Sequence, residues 1–194
     1  MNSLESFDLK LETERLVILA GNQVWAYKDT IKEEMINSAR DLKEWIGFFN
    51  YNFDESKVVE FINMTTDISN NSSFLRYFLF EKQTMDFVGS VVLQDIDYRL
   101  PSCEIGYWTV TSQQGNGYMT EAIRQITQYL IEYRQFVRIE AYIDVKNVKS
   151  IQTIEDCEFE REGMLKNSDL NANETKLINE VLYALTTPIH FKQK

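Results

Sequence analysis

The tightest constraint on the fold lies between Cys103 and Val145. An alternating run, CEIGYWTV, leads into Gln113-Gln114-Gly115-Asn116-Gly117-Tyr118-Met119-Thr120. Then Met119, Ala122, Ile123, Ile126, Leu130 and Tyr133 recur at helical spacing, and a second alternating run, VRIEAYIDV, fills Val137–Val145. Alternation predicts half-buried strands, and the 3.6-residue stripe predicts a helix lying on a sheet. Such a strand–helix–strand unit pairs its strands in parallel with a right-handed crossover. Only seven glycines occur in 194 residues, and two of them sit one residue apart at the strand-to-helix turn.

A glycine turn that opens a helix has two physical uses. It is a tight turn, or it is an anion cradle. The first amides of a helix have no partner within it, the helix dipole favours negative charge there, and glycine lets a phosphate approach closely. The stretch is not a nucleotide P-loop, because Gly-Lys-Ser/Thr is absent. It is not the dinucleotide fingerprint, because Thr120 occupies the third glycine position.

The rest of the chain places this unit within an α+β fold. Leu9–Ala20 reads as a first strand, Gln23–Asn37 as a helix, and Asp41–Asn50 as a helix with Leu42, Trp45, Ile46, Phe48 and Phe49 on one face. Ser56–Ile68 is an amphipathic helix with Val58, Val59, Ile62 and Met64, capped by Asp54 or Ser56. Asn70-Asn71-Ser72-Ser73 is a turn. Phe74–Glu81, Phe87–Ile96 and Cys103–Val110 are strands whose short joins predict antiparallel hairpins. Asn147 to Cys157 is a short helix, and Phe159–Lys166 and Leu177–Leu185 are strands around the polar loop Asn167–Lys176. The expectation is one domain over residues 1–194, with a mixed central sheet of about seven strands flanked by helices.

Composition removes several function classes. A net charge of −10 argues against nucleic acid and suits cationic substrates. No apolar run reaches membrane-spanning length, and the first residues, MNSLESFDLK, are not a signal peptide, so the expected compartment is the cytoplasm. Cys103 and Cys157 read as isolated buried thiols. The only histidine, His190, leaves neither a histidine-based triad nor a histidine-rich metal site, and no metal is expected.

Two linked stretches carry a family resemblance. CEIGYWTVTSQQGNGYMTEA resembles the core motif of the GNAT acyltransferase superfamily, in its RimJ/RimL-type N-acetyltransferase branch. VRIEAYIDVKNVKSIQTIEDCEFEREGML resembles the second half of that signature, and LETERLVIL resembles the first strand of the branch. The resemblance implies transfer of an acetyl group from acetyl-CoA to a primary amine through a ternary complex. A non-catalytic module of the same fold that binds coenzyme A is the alternative.

Carried onto this chain, the resemblance puts the cofactor against the loop Gln113, Gln114, Gly115, Asn116, Gly117, Tyr118, Met119 and Thr120, with its pyrophosphate on the N–H groups of Gln114 through Tyr118. The strand before the loop and the next parallel strand splay apart. The pantetheine arm pairs with the free edge at Trp108, Thr109 and Val110, in the manner of an added strand. A main-chain N–H there would also steady the developing oxyanion. Asn147 would contact the pantetheine arm and Ser150 would lie near the thiol, while Asn147 also suits a helix N-cap. Trp45, Phe48 and Phe49 fall where the family builds its acceptor pocket, and they equally suit core packing.

Two pKa comparisons bound the chemistry. A thiol pKa of about 8.5 makes protonation of the leaving thiolate worth only about 2 kcal/mol at pH 7, so a serine, a tyrosine or water suffices. A protein α-amine of pKa about 8 is roughly one-tenth neutral at pH 7, whereas a lysine-like amine of pKa about 10.4 is neutral on the order of once in a few thousand. A terminal amine therefore needs little base, and a polyamine needs more. Glu104 at the start of the splayed strand and Asp169 after the last core motif are the candidate bases. Asp169 also suits a plain solvated loop carboxylate, and Glu104 a charged residue on a sheet face.

The expected partner is an amine: a protein N-terminus, a polyamine or another small amine. Homodimers are common in the family. This chain departs from the family pattern at three positions. Ser112 stands where glutamine or arginine is common, Asn116 where a loop lysine or arginine is common, and Glu158 where a glycine usually ends the short helix. The first two predict a weaker hold on coenzyme A. The third predicts either a different helix end or about 1 kcal/mol of left-handed strain.

Overall fold

The computed structural model describes residues 7–50, 53–66 and 73–187, without the side chains of 64–66. The Met64 side chain, the end of the helix expected to reach Ile68, most of the Asn70–Ser73 turn and His190 lie outside that description. The elements in chain order are β1 (Lys10–Glu12), β2 (Leu16–Leu19), α1 (Lys28–Leu42), α2 (Glu55–Thr66), β3 (Leu75–Glu81), β4 (Phe87–Asp97) and β5 (Ser102–Thr109). There follow α3 (Tyr118–Glu132), β6 (Arg138–Asp144), α4 (Val148–Asp156), β7 (Glu160–Leu170) and β8 (Leu177–Thr186). The strands form one eight-stranded mixed sheet in the order β1-β2-β3-β4-β5-β6-β8-β7. β5 and β6 pair in parallel, and every other neighbouring pair is antiparallel.

The eighth strand comes from the N-terminus. The expected first strand over Leu9–Ala20 is a hairpin, because Thr13 folds the chain back at the polar Thr13-Glu14-Arg15. Its N–H donates to the Leu16 carbonyl at 3.0 Å, and its hydroxyl accepts from the Leu16 N–H at 2.8 Å. The expected helix over Gln23–Asn37 begins as a 3-10 stretch, Gly21–Tyr27, before α1 takes over. The aromatic stretch Asp41–Asn50 is not a helix. α1 ends at Leu42, and only a 3-10 turn, Gly47–Phe49, follows. Gly47 lies against the Ala172 carbonyl, and Asn50 Nδ2 donates to that carbonyl at 2.5 Å. Tertiary docking of the β7–β8 loop fixes this segment, which helical periodicity does not report. Asp54 caps α2, with its Oδ1 accepting from the N–H groups of Ser56 and Lys57.

The sheet buries both faces. α3 and α4 cover one face over a core that includes Ile105, Ala122, Ile126, Ile139 and Ile154. α1 and α2 cover part of the other over Phe49, Phe61, Phe78, Phe87 and Trp108. Along α3 the expected stripe is buried, except that Tyr133, just past the helix end, is 71% exposed and Tyr129 takes its place in the core. Part of the predicted loop Asn167–Lys176 is strand. β7 runs to Leu170 as an exposed edge, with an irregular register between Leu165 and Asp169, so its residues show no alternation. Cys103 and Cys157 are buried free thiols.

α4 ends as a Schellman motif despite the missing glycine. The Phe159 N–H donates to the Ile154 carbonyl and the Glu158 N–H to that of Glu155, with Glu158 at φ +67°. The helix therefore ends as the family pattern implies, and Glu158 carries the left-handed strain.

Candidate active site

The site begins where β5 and β6 stop being neighbours. They pair only at Ser102–Arg138, Cys103–Ile139 and Glu104–Glu140. Beyond Glu104, β5 continues beside β4 and β6 continues beside β8, so a gap opens between them. The Val110 N–H donates to the Val88 carbonyl at 2.9 Å and so faces β4. Strand alternation then turns the backbone groups of Thr109 and Tyr107 toward the gap. Of the expected edge residues Trp108, Thr109 and Val110, Thr109 turns its backbone to the gap, where its carbonyl accepts from Gln114 Nε2 at 3.4 Å. Trp108 instead buries its ring edge-on to Phe49 at 5.4 Å, and its carbonyl lies so close to Gly89 that a Cβ there would sit at 2.2 Å.

The glycine loop lies at the end of this gap. Gly115 and Gly117 have φ of +79° and +74°, and Gly117 is the residue that opens α3. Among the described residues, the amides of Gly115, Asn116, Gly117, Tyr118, Met119 and Thr120 donate to no protein acceptor. Those of Gln113 and Gln114 turn inward to the Val110 and Thr111 carbonyls. The outward donors thus start at Gly115. Together with the N-terminal dipole of a fifteen-residue helix they suit a pyrophosphate. Coenzyme A therefore fits the residues present.

Arg15 is one site residue that sequence reasoning missed. It projects from the β1–β2 turn onto the loop. Its Nε pairs with Glu121 at 2.6 Å, its Nη1 donates to the Asn116 carbonyl at 3.0 Å, and its guanidinium stacks over the Tyr118 ring at 4.6 Å. Thr13 Oγ1 also donates to Glu121, at 2.5 Å. Desolvation alone would raise the Glu121 pKa, but the hydrogen bonds from Thr13 and Arg15 outweigh it and hold the carboxyl below its ordinary value. The loop lacks its own cation at Asn116, yet a cation from a distant turn sits beside it. No local pattern reports this, because Arg15 and Asn116 are 101 residues apart in sequence. Across the gap, Lys149 Nζ lies 3.5 Å from Gln114 Oε1.

Asn147 and Ser150 open α4 on the other wall. Asn147 Oδ1 accepts from the Ser150 N–H at 3.2 Å, so Asn147 is the N-cap. Ser150 meets Tyr107 of β5, whose phenol donates to the Ser150 carbonyl at 2.8 Å and lies 2.9 Å from Oγ. Tyr107 was not singled out from sequence, although β5 alternation places it on the α4 side of the sheet.

Glu104 faces the opposite side of the sheet from Tyr107, as alternation requires. Gln94 Nε2 donates to Glu104 Oε1 at 2.7 Å. Desolvation raises the Glu104 pKa against that bond, and the charges of Asp95, Glu180 and Glu140 raise it further. Asp169 is an exposed residue near the end of β7, and its Oδ1 accepts from the Leu170 N–H at 2.7 Å. Its charge raises the pKa of Glu180, a group shifted first by desolvation, so Glu104, Glu180 and Asp169 form an electrostatically linked row. Neither carboxylate bonds to Ser150. Phe48 and Phe49 pack in the second core with Phe53 and Phe61, while Trp45 is 38% exposed. Among the described residues no group of three or more histidine, cysteine, aspartate or glutamate side chains is arranged to hold a metal ion. No helix of the described residues is long and apolar enough to cross a membrane.

A splayed parallel pair with a glycine-opened helix beside it defines a class, and the comparisons agree. The model of the acetyltransferase (GNAT) domain family matches residues 25–160, and the chain belongs to that family. It is an acetyltransferase by family membership. The uncharacterized N-acetyltransferase p20 of Bacillus licheniformis is 27% identical over 132 residues, covering 68% of this chain and 73% of that protein. The microcin C7 self-immunity acetyltransferase MccE, solved with acetyl-CoA and AMP, superposes with a TM-score of 0.81 at 21% identity over 90% of this chain and 94% of that one. RimL, a ribosomal-protein α-N-acetyltransferase solved with coenzyme A, gives 0.79 at 16% identity over 90% and 95%.

Proposed function

We propose that this chain transfers an acetyl group from acetyl-CoA to a primary amine in a ternary complex, the amine being a protein N-terminus or a small amine. The observation that carries the reading is the three-residue β5–β6 pairing, which opens onto a loop of unpartnered amides. Acetyl-CoA supplies the activated thioester. The amides of Gly115 through Thr120 bind its pyrophosphate. The gap-facing backbone of Thr109 pairs with the pantetheine arm in place of the Gln114 side chain, Asn147 borders the arm, and Ser150 meets the sulfur. Glu104, on the other face of the gap, accepts the proton of the attacking amine directly or through a water. Its raised pKa makes it a stronger base than an ordinary glutamate. Asp169, further along the acidic row, attracts the cationic form of the acceptor.

Both relatives that bind coenzyme A or acetyl-CoA support the cofactor reading, and RimL supports a protein α-amine as one acceptor class. The acidic row of Glu104, Glu180 and Asp169 supports any cationic amine. Titration calorimetry with acetyl-CoA, followed by a thiol-release assay over α-amino peptides, polyamines and small amines, tests the proposal. Binding with amine-dependent thiol release is the expected result. Neither heat nor thermal protection with acetyl-CoA would sink it.

A further inference from the structure

Ser150 is held on three sides, and two of the holds come from one tyrosine. Its N–H donates to Asn147 Oδ1 at 3.2 Å. Its carbonyl accepts from the Tyr107 phenol at 2.8 Å, and its Oγ lies 2.9 Å from the same phenol oxygen. Tyr107 stands on β5 and Ser150 on α4, so the contact joins the two walls of the gap. The phenol has one proton and two acceptors on Ser150 within reach. While that proton goes to the carbonyl, the Ser150 hydroxyl hydrogen points at the phenol oxygen. When it turns to Oγ, the Ser150 hydrogen is released to face the gap.

We propose that Tyr107 is a positioning residue that orients the Ser150 hydroxyl as a hydrogen-bond donor to the leaving sulfur. This rests on the acetyltransferase reading above. In the reaction the amine nitrogen forms its bond to the acyl carbon and the carbon–sulfur bond breaks, its electron pair leaving on sulfur. The surplus proton on nitrogen passes to Glu104 or water. Ser150 gives the thiolate a hydrogen bond and keeps its proton, because hydroxyl groups hold protons more tightly than a thiol of pKa about 8.5. Burial makes the Tyr107 phenol a still weaker acid. Water reprotonates the sulfur after release. Without the phenol, a serine in a first helical turn bonds to nearby backbone carbonyls instead.

The test compares wild type, Tyr107→Phe, Ser150→Ala and the double variant. Phenylalanine keeps the ring and removes only the phenol. The first readout needs no turnover: the pKa of the thiol in bound coenzyme A, from the pH dependence of its thiolate absorbance. Wild type is expected to hold it below about 8.5, and both single variants to raise it toward that value. The second readout is kcat, expected to fall about tenfold in each single variant and no further in the double, with little change in KM for acetyl-CoA. Equal bound-thiol pKa values in wild type and Tyr107→Phe overturn the proposal, as does a Tyr107→Phe loss that persists in full in the Ser150→Ala background. Wild-type protein that binds no coenzyme A overturns the acetyltransferase reading itself, and this inference with it.

Discussion

The two halves of the site are made of different kinds of contact. On the side proposed for the cofactor, from β5 through α4, the groups on offer are backbone amides, a strand edge and a helix cap. On the side proposed for the acceptor, Phe48, Phe49, Phe53 and Phe61 form a packed aromatic cluster, and the sheet carries the half-buried carboxylates Glu104 and Glu180. Backbone devices need particular residues at fixed local spacing: glycine for positive φ, asparagine for a cap, alternation for an edge. Acceptor recognition needs side chains gathered from distant segments. The first kind leaves a local signature and the second does not.

The sharpest way to break this contrast is at Gly117. It holds φ +74° and lends its N–H to the open cradle. Proline fixes φ near −65° and has no N–H. Gly117→Pro should lower coenzyme A affinity more than a hundredfold by calorimetry, while Phe48→Ala should change acceptor KM and leave coenzyme A affinity within about threefold. Wild-type affinity in Gly117→Pro refutes the pyrophosphate assignment.

Arg15 sharpens the contrast, because it is a side-chain device serving the backbone half. It neutralises Glu121 and braces the Asn116 carbonyl. Arg15→Ala leaves the Glu121 carboxylate facing the cradle without its ion pair. Coenzyme A affinity should fall about tenfold, and the fall should shrink at high salt, where the exposed charges are screened. Arg15→Lys restores charge without the forked geometry and should recover only part of the loss. An unchanged dissociation constant in Arg15→Ala would leave the loop self-sufficient.

How much could be read beforehand follows the same division. The glycine turn and the Asn147 cap follow from residue type and spacing, the splayed pair comes only through the family resemblance, and for Glu158 that resemblance leaves a different helix end and left-handed strain both open. The β1–β2 hairpin was hidden because Leu9–Ala20 alternates across its own turn, and only the Thr13 hydroxyl marks the fold-back. The segment around Trp45 and Phe49 has helical spacing, yet Gly47 and its docking on Ala172 decide its form. Arg15 and Tyr107 reach their partners from 101 and 43 residues away, a distance over which one sequence carries no register.

Glu104 tests the acceptor half by itself. Its folded pKa is raised, so its favourable contribution to stability is complete below the ordinary glutamate pKa and is lost as pH rises through the folded value. Glu104→Gln removes that charge and leaves an amide oxygen for Gln94. The variant should melt on the order of a degree higher than wild type at pH 7 and together with it at pH 4. Its kcat/KM should fall more for polyamines than for α-amines, since the former need the base, with coenzyme A affinity unchanged. An equal loss for both acceptor classes would remove Glu104 from the base role.

The smallest effect is expected where the backbone half departs from its family. Glu158 completes the Schellman motif at φ +67°, a conformation that costs a residue with a Cβ about 1 kcal/mol. Its amide already donates to the Glu155 carbonyl, so glycine keeps every backbone bond of the motif and loses only the strain. Glu158→Gly should stabilise by about 0.5–1 kcal/mol in urea unfolding, the relief being partly offset by the greater freedom of glycine in the unfolded chain. Because α4 carries Ser150 and Asn147 at its other end, coenzyme A affinity should not move. A stability gain accompanied by weaker binding would mean that the strained turn sets the position of the α4 N-terminus, and the two ends of that helix would then act as one device.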